Sequence, residues 1–411
     1  MIPIFATVPV LAGAAGFGFV VDRALGGALG GGAVRWPLRC LVVGAIVYLF
    51  LIGGWLVLPG VVLAAWLGRR APAVARDDRG ALAAAVAALV VALALGVLRP
   101  AYPLYWDAFV WLGKARLAAR HFGALRELAL TPGSGVIPSG YPLFYPAAAA
   151  WLGGMRDDAA AVVAGATAFK LVALWLFATA LAAAPRGRAA LVLLVLFATP
   201  LWLVHLRSTY VDLSIGLFAA SLLLLVHDAR SLVGIAAVAI VLTGTKDEGF
   251  AHVVAVGGVM LVAGGSGRRR AALIAIGAAT VAFLLWHGQL ALHHVARDHA
   301  LGPPALAALP ALGRAFAVAL GDFVSWGALW PLVLAALIVL VRRRSTHRDA
   351  VLYAEVLAAE AALFALAIAC GSERVRAFAV GGTLVNRLLV QLAPTAALLV
   401  AAVAAPDDPP R

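Results

Sequence analysis

The chain has 411 residues, 64% of them hydrophobic and only 12% charged, with a formal net charge of +13. Its mean hydropathy of +1.01 excludes a water-soluble fold, because the polar residues needed to coat a soluble surface are missing. Long unbroken apolar runs, rather than alternating segments of about ten residues, also exclude an outer-membrane barrel, leaving an all-α polytopic membrane bundle. The basic excess lacks the Lys/Arg-rich tail or basic helix of a nucleic-acid binder, and its short clusters between apolar runs fit loops that orient membrane helices.

In chain order, runs long enough to cross about 30 Å of hydrocarbon are predicted at 2–21, 40–67, 80–98, 160–183, 189–205, 213–227, 232–246, 249–266, 271–291, 324–341, 350–370 and 388–405. The first, without a basic leader or a small-residue cleavage site, is expected to be a retained helix. The run 40–67 carries Pro59–Gly60 and is expected to kink or tilt. Residues 1–405 form one transmembrane domain of about twelve helices on this reading, and the Pro-rich stretch 406–411 is a short disordered tail. Cys40 and Cys370 sit at ends of apolar runs and have neither metal-site nor disulfide-framework spacing; both are expected near the outer surface, as free thiols.

The loops holding Arg69–Arg79, Arg186–Arg188, Arg230, Arg268–Arg270 and Arg342–Arg348 are dense in basic residues, as cytoplasmic loops are. That density predicts a plasma-membrane protein with a cytoplasmic N-terminus and outward-facing loops at 99–159 and 292–323.

The first outer loop holds the richest chemistry. Asp107, Trp111, Lys114, Ala118 and His121 recur at helical spacing and would line one stripe, with Arg116 and Arg120 opposite. Such a helix is expected to lie along the membrane surface, offering a carboxylate and an ammonium on one face and guanidinium groups to phosphates on the other. An interfacial anchor in which Asp107 merely pairs with Lys114 is the plainer alternative.

Trp106–Asp107, Trp111 and Lys114–Ala115, followed by Gly140–Tyr141–Pro142–Leu143 and Pro146, resemble the first outer loop of bacterial GT-C glycosyltransferases of the protein O-mannosyltransferase and aminoarabinose-transferase group. Tyr210–Val211–Asp212–Leu213 resembles the family's second outer loop, Thr245–Lys246–Asp247–Glu248–Gly249 its Lys-Asn-Glu-Gly turn, and Asn386–Arg387 through Pro394 its last helix. Asp107 is followed by Ala108 where many relatives have a second acid, and Ser139–Gly140 replaces a His or Lys; these departures weaken the case for a bound metal in this loop.

The resemblance implies a GT-C-like bundle that takes a sugar from a polyprenyl-phosphate carrier at the outer membrane face. It passes the sugar, with inversion, to a lipid, glycan or protein acceptor. Asp107 would be the general base, and Asp212 would orient or charge-balance it or hold an acceptor hydroxyl. Lys114, Lys246 and Arg387 would hold the donor phosphate, with Arg207, Arg374 and Arg376 as weaker candidates. Trp111, Tyr141, Glu248 and His294 would contact substrate. Without the resemblance, Lys246–Glu248 reads as a polar turn, Asp212 as a helix N-cap and Arg387 as an interface anchor.

His287, His293, His294 and His299 crowd one loop, yet their order fits no zinc pattern; a divalent cation held there is the one cofactor alternative. Lys170, Glu355 and Glu360 lie inside apolar runs, where a charge costs about 2.5–3.5 kcal/mol. Lys170 could snorkel or reach a lipid phosphate, and Glu360 is expected to pair or take a proton within the bundle. Those three residues define the alternative function, a multi-pass transporter or lipid flippase.

Overall fold

A computed structural model describes residues 16, 18–23, 29, 34–54, 106–131, 140–182, 186–295, 302–343 and 348–404, the side chains of 106–109, 186 and 343 excepted. The expected helices 2–21 and 80–98, the second half of 40–67 and the tail lie wholly or mostly outside these residues. The described residues are helical, with no strand among them.

The helices are α1 (Arg35–Gly53), α2 (Trp106–Arg120), α3 (Leu125–Leu130), α4 (Phe144–Leu152), α5 (Ala159–Leu181), α6 (Arg186–Phe197), α7 (Pro200–Arg207), α8 (Asp212–His227) and α9 (Leu232–Thr245). They continue with α10 (Asp247–Ala263), α11 (Ser266–Leu292), α12 (Leu309–Leu320), α13 (Phe323–Trp326), α14 (Leu329–Arg343), α15 (Arg348–Cys370), α16 (Glu373–Val380) and α17 (Thr383–Ala404).

Five of them (α1, α5, α11, α15 and α17) are long and apolar enough to cross a membrane, and a sixth crossing arises if the bent pair α6–α7 counts as one. Their outward faces remain apolar: Leu273, Val281 and Leu284 on α11 are 60%, 53% and 62% exposed. Water would penalise such a surface, whereas hydrocarbon does not. The chain is thus a helical membrane protein.

α8 is the axis of the fold. Nearly every residue of Asp212–His227 is buried, because DLSIGLFAASLLLLVH is apolar all round and can be covered on every side. α5, α9, α10 and α17 pack around it. A Cβ on Gly216 would stand 2.5 Å from the Gln391 carbonyl oxygen and 2.9 Å from its Cα, so the missing side chain is what lets α17 lie against α8. Rings link the first loop to this axis. Trp111 and Tyr145 are 5.3 Å apart between centroids, Tyr145 and Phe169 5.3 Å, and Phe169 and Phe218 5.5 Å.

Several sequence expectations are corrected. The run 189–205 is not one helix, since α6 and α7 meet at 78°. Pro200 cannot donate into a continuing ladder and disfavours helical backbone at Thr199, which is extended (φ −93°, ψ 110°). α1 begins at Arg35 rather than at 40 and its helix stops at Gly53, while residues 55–67 of the expected run lie outside the described residues. The Trp111–Lys114–Ala118 stripe of α2 faces inward, with Trp111, Lys114, Ala115 and Ala118 buried against α4 and α5.

α1 also runs the other way from expectation. A Cβ on Gly234, at the start of α9, would touch Leu38, and one on Gly244, near its end, would touch Tyr48; α1 and α9 therefore run parallel. Asp22, Arg35 and Arg39, joined by ion pairs of 2.5 and 3.0 Å, stand at the Arg230 end. Alternation counted from a cytoplasmic N-terminus had put 22–39 at the opposite end. Cys40 consequently does not share an end with Cys370; both are free thiols.

The Arg230 end is knit by charge. Asp349 accepts from Arg188 Nη1 at 3.2 Å and sits 3.1 Å from His227 Nε2, while Arg268 Nε donates to the His227 carbonyl at 2.8 Å. Loops that share basic density in the sequence meet here in space.

Gly216→Ala is expected to cost about 1–3 kcal/mol, the usual penalty for overpacking. Thermal unfolding in one detergent checks this against Gly258→Ala, whose Cβ would meet nothing within 4 Å. Equal midpoints for the two variants would contradict the close α8–α17 approach.

Candidate functional site

The other end of α8 gathers the charges that sequence singled out. Asp212 occupies the first turn of α8, where the helix dipole favours a carboxylate. It is not the N-cap: Val211 holds that position without a side-chain cap. Asp212 Oδ1 instead accepts from Lys246 Nζ at 3.3 Å and Gln391 Nε2 at 2.9 Å, and Oδ2 accepts from Arg387 Nε at 2.9 Å.

Lys246 arrives because the chain breaks there. Its backbone is extended (φ −165°, ψ 156°) between α9 and α10, so the two helices meet at one non-helical residue. Gly249 makes the turn possible, since a Cβ there would stand 1.9 Å from the Leu242 carbonyl oxygen. Lys246 Nζ also pairs with Glu248 Oε1 at 2.5 Å. Burial works against its charge, but the Asp212 and Glu248 carboxylates hold the ammonium well above its ordinary pKa. Asp247 faces away to His287 Nε2 at 3.2 Å.

Arg387 comes from the first turns of α17, with its guanidinium 4.9 Å from the centre of the Tyr210 ring. The cluster is deeply seated yet reaches the surface. Asp212 and Lys246 side chains are 0% and 3% exposed, whereas Arg387 and Glu248 reach 13% and 23%.

A second group borders the first. Lys114 Nζ stands 5.6 Å from the Trp111 ring centre and 5.2 Å from that of Tyr141. Burial pushes the Tyr141 phenol well above its ordinary pKa, and Lys246, Glu248, Arg387 and Asp247 all act on it electrostatically. Tyr141 thus links the Lys114 group to the Asp212 cluster. Trp286 Nε1 donates to the Gly140 carbonyl at 3.1 Å and Tyr145 donates its hydroxyl to the Thr209 carbonyl at 2.7 Å, anchoring both loops.

Other expectations fare differently. Asp107 lies in the first turn of α2 by its backbone, four residues before Trp111; its side chain is outside the described residues. Arg116 and Arg120 are taken up by Asp157, with Arg116 Nε on its carbonyl at 2.6 Å and Arg120 on its carboxylate. His294 is exposed just beyond α11 in a left-handed conformation (φ 54°), with no side-chain link to the Asp212 cluster among the described residues. Arg207 and Arg374 are exposed, and Arg376 turns back to the Gly371 carbonyl. No three His, Cys, Asp or Glu residues gather to hold a metal ion among the described residues.

Sequence reasoning missed Gln391 and Tyr210. Gln391 was findable: it lies four residues after Arg387, hence on the same helical face. Compared with protein-family models, curated proteins and solved structures, the chain matches none.

Asp212→Asn leaves Lys246 and Arg387 facing an uncharged amide. The expected loss is about 3–5 kcal/mol, typical of a broken buried pair. Thermal unfolding checks it beside exposed Glu373→Gln; an Asp212→Asn midpoint equal to wild type would contradict the cluster.

Proposed function

We propose that the chain is a GT-C-type glycosyltransferase that moves a sugar from a polyprenyl-phosphate carrier to an acceptor at the exoplasmic face of a plasma membrane. The observation that carries this reading is the meeting of Lys246 and Arg387 on Asp212 at one end of the bundle, beside the Lys114 and Tyr141 group. The opposite end carries the Arg188, Arg230 and Arg268 network, which the positive-inside tendency assigns to the cytoplasm.

The chemistry needs few parts. An acceptor oxygen attacks the anomeric carbon as the bond from that carbon to the phosphate oxygen breaks, and the phosphate leaves with the electron pair. Lys246 and Arg387 stabilise the negative charge on the departing phosphate. Asp107 takes the acceptor proton as the new bond forms. Asp212, buried and spoken for by three donors, keeps the two cations together and is not the base.

The transporter alternative calls for Lys170, Glu355 and Glu360 along one passage. Lys170 donates to the His205 carbonyl at 2.7 Å and to the Ser208 carbonyl, closing the end of α7. Glu355 is exposed on the outside of α15, and Glu360 is buried against His252. Glu355 stands apart from Lys170 and Glu360, and that separation favours the transferase.

Asp107→Asn is expected to abolish transfer from a radiolabelled polyprenyl-phosphate sugar, while leaving membrane insertion intact. Normal transfer by that variant would reject Asp107 as the base.

A further inference from the structure

Beyond the Asp212 cluster a line of buried polar side chains continues into the bundle. Gln391 Nε2 donates to Asp212 Oδ1 at 2.9 Å, His252 Nε2 lies 3.1 Å from Gln391 Oε1, and His252 Nδ1 lies 2.7 Å from Glu360 Oε1. The residues come from α8, α17, α10 and α15, and none is more than 1% exposed. Leaving such groups in a bilayer-embedded core is costly unless each finds a partner. Glu360 Oε2 has none among the described residues, and apolar residues would pack the same space at lower cost. Stability alone does not account for the line.

Hydrogen-bond chemistry gives it a direction. Asp212, ion-paired to Lys246 and Arg387, offers only lone pairs, so the Gln391 group facing it is the NH2. The Gln391 carbonyl then faces His252 and can only accept, which puts a proton on His252 Nε2. The contact between Nδ1 and Glu360 holds one further proton, on the ring as an ion pair or on the carboxyl as a neutral pair. Either way the same N–H points at Gln391. Phe364 packs edge-on against the imidazole with centroids 5.0 Å apart, and Gly216 brings the Gln391 backbone against α8.

We propose that Gln391, His252 and Glu360 are positioning residues: the His252–Glu360 pair holds the imidazole in its Nε2–H form, which turns the Gln391 amide to Asp212 and so sets how Asp212 faces Lys246 and Arg387. That this matters for anion binding rests on the transferase reading; the arrangement itself does not.

The test uses the full chain in nanodiscs, labelled with 15N-histidine and 15N-arginine. The His252 signal, identified by its loss in His252→Phe or His252→Gln, is expected to show a protonated Nε2 in wild type and in Glu360→Gln, whose amide can donate to Nδ1. The Arg387 Nε signal, identified by its loss in Arg387→Lys, is expected to shift in Gln391→Leu and His252→Phe but not in Glu360→Gln. An unprotonated Nε2 in wild type, or an Arg387 signal indifferent to Gln391→Leu, overturns the proposal. Calorimetric titration with inorganic phosphate adds the functional arm. Binding is expected to weaken about tenfold or more in Gln391→Leu, as for a lost hydrogen bond to a charged group, and to stay within about threefold in Glu360→Gln. Equal binding by Gln391→Leu and wild type overturns the functional half. Absence of inorganic phosphate binding by wild type counts against the transferase reading instead, and the nitrogen signals still decide the positioning role.

Discussion

A carboxylate with no exposure to solvent must be matched by donors or lose its charge, and Asp212 is matched by three: Lys246, Arg387 and Gln391. Much else follows from that requirement. The α9–α10 helix pair breaks at Lys246 to deliver an ammonium, α17 enters with Arg387 and Gln391 one turn apart, and Gly216 removes the side chain that would hold α17 off. Neither cation could be kept so deep without the carboxylate, and the carboxylate could not stay ionised without them. The result is a charge-balanced cluster of two cations and two carboxylates at one end of the bundle, reaching the surface through Arg387 and Glu248.

α8 also sets a distance. Its first residue is Asp212 and its last is His227, about 22 Å apart at 1.5 Å per residue. One end holds the cluster just described; the other holds the His227, Asp228, Arg230, Arg268 and Asp349 network. Both networks join segments far apart in sequence, so they fix which loops share an end of the bundle. The two ends therefore differ in what they join: the second network ties His227 and Asp349 to Arg188 and Arg268, the first ties Asp212 to Lys246 and Arg387 beside the aromatic residues Tyr141 and Tyr210.

How much could be read beforehand depended on the kind of signal. The membrane class and most helices from 159 onward were readable, because apolar runs declare themselves without reference to the rest of the chain. Asp212, Lys246, Glu248 and Arg387 were singled out through the family resemblance, since by residue type alone they read as a helix N-cap, a polar turn and an interface anchor. Their pairing was not readable, since Asp212 and Arg387 are 175 positions apart. Gln391 and His252 escaped notice because an uncharged polar side chain in an apolar run stands out little, although each lies four residues from a noticed charge. The break at Thr199–Pro200 was visible as a proline but passed over in a run that looked continuous. The direction of α1 was lost because alternation counted from the N-terminus carries any early error through every later loop, whereas packing of Leu38 on Gly234 and Tyr48 on Gly244 gives it locally.

Mass spectrometry of lipid carried through purification tests most directly whether the Asp212-centred cations exist to hold a phosphate-bearing lipid. The wild-type protein is expected to bring down a polyprenyl-phosphate sugar, and a Lys246→Met/Arg387→Met double variant to bring down little of it while retaining bulk membrane lipid. Equal recovery of that carrier by both proteins, or its absence from the wild type after expression with an abundant supply, would contradict the account.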